Sequence, residues 1–120
     1  RYLKESRIIN WPMSRHFLSK FSNILARILL KVPIKDYTNG FRFYDRRAIK
    51  FITQKCANSK STGFILLSEI ALELYKNNFK IGEVSTVFVN RTRGESKVNF
   101  NEIFLSFIGL IKLYLNQFKK

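Results

Sequence analysis

Apolar residues recur along this chain at two spacings, near every third or fourth position in some stretches and every second in others. Pro, Gly, Asn and Asp punctuate the boundaries. Between Met13 and Leu30, the residues Phe17, Phe21, Ile24, Leu25, Ile28 and Leu29 fall at helical spacing. Asn10-Trp11-Pro12 ahead of them reads as a helix start. Asn is a favourable N-cap, and Pro is tolerated in a first turn, where its missing N–H is not needed. Val32-Pro33 closes this helix. Asn39-Gly40 marks a turn into a short strand over 41–44, in which Phe41 and Phe43 alternate with Arg42 and Tyr44. Asp45 reads as the N-cap of a helix over 46–54. Residues 59–63 form a loop, and Leu67, Ile70, Ala71 and Leu74 predict a helix over 65–75 that ends at Asn77-Asn78. The β-branched run predicts a strand over 80–90, and the last helix runs over 100–118. Residues 1–10, polar and basic, read as a loop. Helices alternating with strands indicate the α/β class, with no internal repeat and no low-complexity linker.

Length and composition narrow this picture. The 120 residues make at most one domain, and an apolar content of 46% supports a packed core. The single cysteine, Cys56, excludes an internal disulfide and fits a reducing compartment. No secretory signal opens the sequence. A start at Arg1, with Met13 the only methionine, makes a piece of a longer protein the expectation. The net charge is +14, and over residues 1–50 basic residues outnumber acidic ones by 12 to 3. Such a surface attracts nucleic acid, anionic lipid or phosphorylated substrates. Residues 103–115 are strongly apolar but too short and too interrupted, by Lys112, Asn116 and Gln117, for a membrane span. They form either an interfacial amphipathic helix ending in Lys119-Lys120 or an ordinary buried helix.

Three clusters can carry chemistry. Arg91-Thr92-Arg93-Gly94-Glu95-Ser96-Lys97 follows the expected strand over 80–90. Arg supplies a planar fork of donors, Lys a mobile charge and Ser a hydroxyl, while Gly94 lets backbone N–H groups turn toward an anion. A solvated basic loop explains the same residues. Arg15, Ser19, Asn23 and Arg27, spaced by four, form one polar stripe on the first helix. Near the helix start, Arg15 and Ser19 can grip an anion together; a solvated helix face is the plainer reading. Asp36-Tyr37-Thr38-Asn39-Gly40-Phe41-Arg42 suits a substrate-binding edge, or a structured turn in which Asp36 caps local N–H groups. Glu69 is an acid in a mostly apolar helical stretch.

The absences are informative. One histidine, His16, and one cysteine exclude a His/Cys zinc cluster built within the chain. There is no Walker loop, no Gly-x-Gly-x-x-Gly, no Asp-x-Asp and no nucleic-acid signature.

Taken in order, Arg1-Tyr2, Trp11 through Arg15, Ser22-Asn23, Asp36 through Arg42, Gly63 through Glu69 and Arg91 through Lys97 resemble the family 2 glycosyltransferases of the dolichyl- or polyprenyl-phosphate mannose synthase type. The resemblance spans nearly the whole chain. It implies the C-terminal part of a GT-A domain. Residues 1–99 would be its acceptor side and 100–120 an amphipathic, membrane-interfacial helix, the nucleotide-binding half lying elsewhere. It implies inverting transfer of a hexose, first of all mannose, from a nucleotide sugar to a polyprenyl phosphate. Arg1, Arg15, Ser19 and Arg91 would hold the acceptor phosphate and Lys97 would support Arg91. Gly94 and Ser96 would shape the loop, and Asp36 and Glu69 would lie near the catalytic centre. A divalent metal, Mg or Mn, would be held mainly by the missing half, with no metal ligands in this chain. The partners implied are donor, lipid acceptor and the cytoplasmic side of a membrane, and no nucleic acid. Two departures stand out: Asn39 occupies a position where relatives often carry Ser, and Leu67 one where Gln is expected. The second leaves the donor sugar open. From charge alone, the competing reading is a non-catalytic basic module that binds anionic membrane or nucleic acid.

Overall fold

The computed structural model describes residues 1–90 and 100–119. Two short strands, β1 (Arg7–Ile9) and β2 (Val87–Val89), enclose three helices in the chain order: α1 (Met13–Leu30), α2 (Arg46–Cys56) and α3 (Gly63–Lys76). A fourth helix, α4 (Phe100–Asn116), follows β2. The strands pair in parallel, with Arg7 opposite Val87, Ile8 opposite Phe88 and Ile9 opposite Val89. Parallel pairing needs a crossover, and here it is the whole helical layer.

All four expected helices are present. Asp45 caps α2, its side chain accepting from the Ala48 N–H at 2.7 Å. The start of α1 is built differently from the sequence expectation. Pro12, not Asn10, sits at the cap, and its carbonyl accepts from the N–H groups of Arg15 and His16. Asn10 instead takes a left-handed conformation (φ 59°) that turns the chain from β1 into α1. Lys31, also left-handed, ends α1 just before Val32-Pro33, as expected.

The strands are where the expectation fails. Residues 1–10 are not all loop, because residues 7–9 form β1. The run over 80–90 pairs only at Val87–Val89, and residues 41–44 form no strand. The alternation at 41–44 is real: Phe41 and Phe43 point outward, while Arg42 turns in toward backbone carbonyls. What is missing, among the described residues, is a neighbour to complete the ladder.

The core joins α1, α3 and α4 with the 32–37 segment through Ala26, Leu30, Val32, Ile34, Tyr37, Ile65, Ala71, Leu72 and Leu110. A second cluster, Ala48, Ile70 and Leu74, seats α2 on the other side of α3. Leu110 is 1% exposed, so α4 completes this core and is not a separate appendage. Burial of that one side chain is worth roughly 1.5–3 kcal/mol.

The α3–α4 approach depends on Gly109. A Cβ there would lie 3.0 Å from Ile65 Cγ1 and 3.3 Å from its Cδ1. Gly109→Val should therefore destabilise the fold by about 1–3 kcal/mol through overpacking, measured by urea denaturation. Paired with Ile65→Ala it should recover part of the loss.

Candidate functional site

The site grows from one carboxylate. Asp36 Oδ1 accepts from the N–H groups of Thr38 and Asn39 and from the Thr38 hydroxyl, each at 3.1 Å. This is the local turn that the sequence suggested. The other contact is non-local: Arg1 donates Nε to Oδ2 at 2.6 Å and Nη2 to Oδ1 at 2.9 Å. The same Nη2 reaches the Thr38 hydroxyl at 2.6 Å. Both side chains of this bidentate pair are nearly sealed from solvent, at 7% and 5% exposure.

Three further groups fix the 35–42 segment. Asn23, buried on α1, accepts from the Tyr37 N–H at 2.6 Å and donates to the Ser19 carbonyl and the Thr38 hydroxyl. Glu83 accepts from the N–H groups of Lys35 and Asp36 through one oxygen. Arg42 donates to the carbonyls of Asn39, Leu67 and Tyr37, which ties the turn to α3. The Tyr37 hydroxyl donates to the Val32 carbonyl, and burial pushes its pKa up to about 12.

The polar stripe of α1 faces inward, against the plainer reading of a solvated face. Ser19 and Arg15 are half-buried and Asn23 is buried; of the four, only Arg27 is exposed. Ser19 Oγ accepts from the Tyr2 hydroxyl at 2.7 Å. Arg15 donates to Asn90 Oδ1 at 3.0 Å and lies 4.4 Å above the Trp11 ring, and Arg1 lies 5.2 Å from the same ring. Arg1, Arg15, Ser19 and Asp36 thus converge on one region at the start of α1.

Glu69 does not join them. Its carboxylate accepts from the Ser59 hydroxyl at 2.6 Å and lines a different cleft, of about 750 Å³, between the 59–63 loop and α4. Arg91, Gly94, Ser96 and Lys97 lie outside the described residues. Asn90, which precedes them, is bonded to Arg15 and through its N–H to the Ile9 carbonyl. As for a metal, no three His, Cys, Asp or Glu side chains among the described residues cluster closely enough to hold an ion.

Sequence reasoning gave no role to Tyr2, Trp11, Asn23, Glu83 or Asn90. Asn23 was visible as a member of the stripe, and Glu83 as the one acid inside a β-branched run. Tyr2 and Trp11 entered only as elements of the motif order, and Asn90 carried no local signal, because its partners Arg15 and Ile9 are distant in sequence.

Burial alone would push the Asp36 carboxyl up. The hydrogen bonds and positive charge of Arg1, with the Thr38 hydroxyl, outweigh it and hold the carboxyl below its ordinary value of 3.8. A depressed carboxylate contributes stability that is fully present above the unfolded value and is lost as pH falls through the folded one. Asp36→Asn should cost about 3–5 kcal/mol at neutral pH, because it leaves Arg1 uncompensated. Denaturation curves should show that gap narrowing below pH 3.8; a gap constant with pH would contradict the assignment.

No family model and no solved structure matches the chain. Among curated proteins, the polyprenol monophosphomannose synthase of Mycolicibacterium smegmatis is 34% identical over 103 residues, 86% of this chain and 38% of that protein. The undecaprenyl-phosphate mannosyltransferase of Micrococcus luteus is 30% identical over 99 residues, 82% of this chain and 40% of that protein. The chain spans about two fifths of the length of these curated relatives. Over these stretches the chain is similar to the kind of protein that its motif order resembles, the polyprenyl-phosphate mannosyltransferases.

Proposed function

We propose that this chain forms the acceptor side of a GT-A transferase that moves mannose from a nucleotide sugar to a polyprenyl phosphate with inversion. The supporting observation is that Arg1, Arg15 and Ser19, from different parts of the sequence, meet at one end of α1. The opposite face of that helix is apolar and open to solvent. Met13 and Phe17 are 82% and 76% exposed, and Phe21, Ile24 and Ile28 continue the stripe. Phe21 packs edge-on against Phe107 of α4, whose outer side adds Phe104, Leu105, Ile111 and Leu115.

A soluble surface rarely carries so continuous an apolar patch without a use. Among the described residues no helix is long and apolar enough to cross a membrane. The patch suits the interface: Phe and Leu side chains enter the acyl boundary, and each Lys or Arg near an anionic leaflet adds roughly 1 kcal/mol. On this reading the enzyme works at the cytoplasmic leaflet. The lipid keeps its chain in the bilayer and lifts its phosphate to Arg15, Ser19 and Arg1.

The chemistry needs little from acid–base groups. A phosphate monoester is already anionic at neutral pH. One of its oxygens attacks the anomeric carbon as the bond to the nucleotide diphosphate breaks on the far side. The difficulty is bringing two anions together, and fixed guanidinium groups offset that repulsion while aligning the attacking oxygen. Asp36 acts through Arg1, holding its fork in one orientation. Arg91, supported by Lys97, takes the position between acceptor and donor phosphates. Nucleotide and metal sites belong to the remaining three fifths of such a protein.

In a full-length enzyme carrying this segment, Arg15→Ala should raise KM for polyprenyl phosphate by about tenfold to a hundredfold, the worth of one or two charged hydrogen bonds. Arg91→Ala should abolish transfer of radiolabelled mannose. Transfer unaffected by both substitutions would leave only the basic-module reading. Separately, the double variant Phe17→Ser, Phe21→Ser should release the chain from anionic phosphatidylglycerol vesicles in sedimentation assays. Full retention would refute the membrane role of α1.

A further inference from the structure

Trp11 lies between β1 and α1 and is 8% exposed. Phe88 of β2 meets it edge-on at 5.3 Å, and His16 flanks it at 5.4 Å. The guanidinium carbons of Arg1 and Arg15 lie 5.2 and 4.4 Å from its ring centroid. The two cations are therefore at most about 10 Å apart, each attracted to the negative face of an aromatic ring. Among the described residues, Trp11 is the one ring with guanidinium contacts from two arginines.

The indole also carries an unused donor. Its Nε1–H is buried and has no hydrogen-bond partner among the described residues. A buried Trp N–H normally finds an acceptor, and leaving one unmet costs roughly 1–3 kcal/mol. Here the atom that lacks an acceptor belongs to the ring on which two arginines converge. An anion oxygen reaching the ring edge beside them would supply what the indole lacks.

We propose that Trp11 is a phosphate-binding residue of this site. Its ring holds Arg1 and Arg15 together, and its N–H donates to an oxygen of the phosphate monoester they attract. This rests on the reading of the site as an acceptor-phosphate pocket. It adds a neutral donor to a set otherwise made of cations and hydroxyls, and it explains why the aromatic residue between the arginines is buried yet polar.

Trp11 is the only tryptophan among the 120 residues, so the chain has a single indole resonance. In ¹H–¹⁵N spectra, farnesyl phosphate should move that resonance downfield, and farnesol should not. Inorganic phosphate should move it the same way at higher concentration; if only farnesyl phosphate acts, the lipid form is the required source. Calorimetry should show Trp11→Phe, which keeps the ring but loses the donor, binding farnesyl phosphate about tenfold more weakly, the worth of one hydrogen bond to a charged group. Binding that leaves the indole resonance in place, or an equal shift with farnesol, overturns the proposal. Unchanged affinity in Trp11→Phe alongside weakened binding in Arg15→Ala would remove Trp11 and keep the pocket. No binding by the parent chain would remove both. If Trp11→Phe fails to fold, the indole shift of the parent chain still decides.

Discussion

The rest of the structure depends on the Asp36 carboxylate. It accepts from two backbone N–H groups of its own turn, from the Thr38 hydroxyl and from Nε and Nη2 of Arg1. A carboxylate so buried is tolerable only when its charge is matched and its lone pairs are occupied. In return it joins two distant segments. Residues 1–9 are otherwise held mainly by a three-residue parallel pair, a short ladder with little cooperative strength. With Asp36 in place, Arg1 is fixed beside Trp11, and Tyr2 is delivered to Ser19. Without it, a guanidinium would be left nearly sealed from water with no counter-charge.

The 36–39 turn is in turn held from two sides. Asn23 engages the Tyr37 N–H from α1, and Glu83 engages the N–H groups of Lys35 and Asp36 from the segment leading into β2. These contacts do for an irregular backbone what a sheet ladder does for a strand: they satisfy buried donors that have no regular partner. They also couple the site to the fold. Moving α1 relative to the turn would break the Asn23 bonds to Tyr37, Thr38 and Ser19 together.

Local order was legible in the sequence, and non-local order was not. Helices announce themselves within a few residues, so α1 to α4 and the Asp45 cap could be read from spacing and cap chemistry. Strand identity depends on a neighbour. The alternation of Phe41, Arg42 and Phe43 is strand-like, yet Arg42 spends its donors on carbonyls and no described chain pairs beside it. Residues 7–9 look unremarkable, yet they pair because residues 87–89 lie alongside. The cluster of Arg1, Arg15 and Ser19 came from resemblance to a family; helical spacing grouped Arg15 with Ser19 but had no means of adding Arg1. Glu69, which the resemblance put near the catalytic centre, lies in another cleft. Periodicity gave the stripes of α1 correctly but not their direction. Apolar residues are usually inside, whereas here the polar stripe turns toward the turn it must satisfy and the apolar stripe turns out.

That reversal is the physical observation behind the proposed membrane partner. An inward polar stripe is needed because the 36–39 turn exposes backbone donors that only side chains such as Asn23 can meet. Leu30 and Ala26, at the far end of α1, still anchor the helix in the core. The outward stripe has no such internal justification: Phe17, Ile24 and Ile28 would be better replaced by Lys or Glu on a helix that faced only water. A helix whose one side carries Arg15 and Ser19 and whose other side is oily fixes the distance between the two environments to its own diameter, about 10 Å. On the proposed function, one rigid element would then both seat the protein at the interface and position its acceptor.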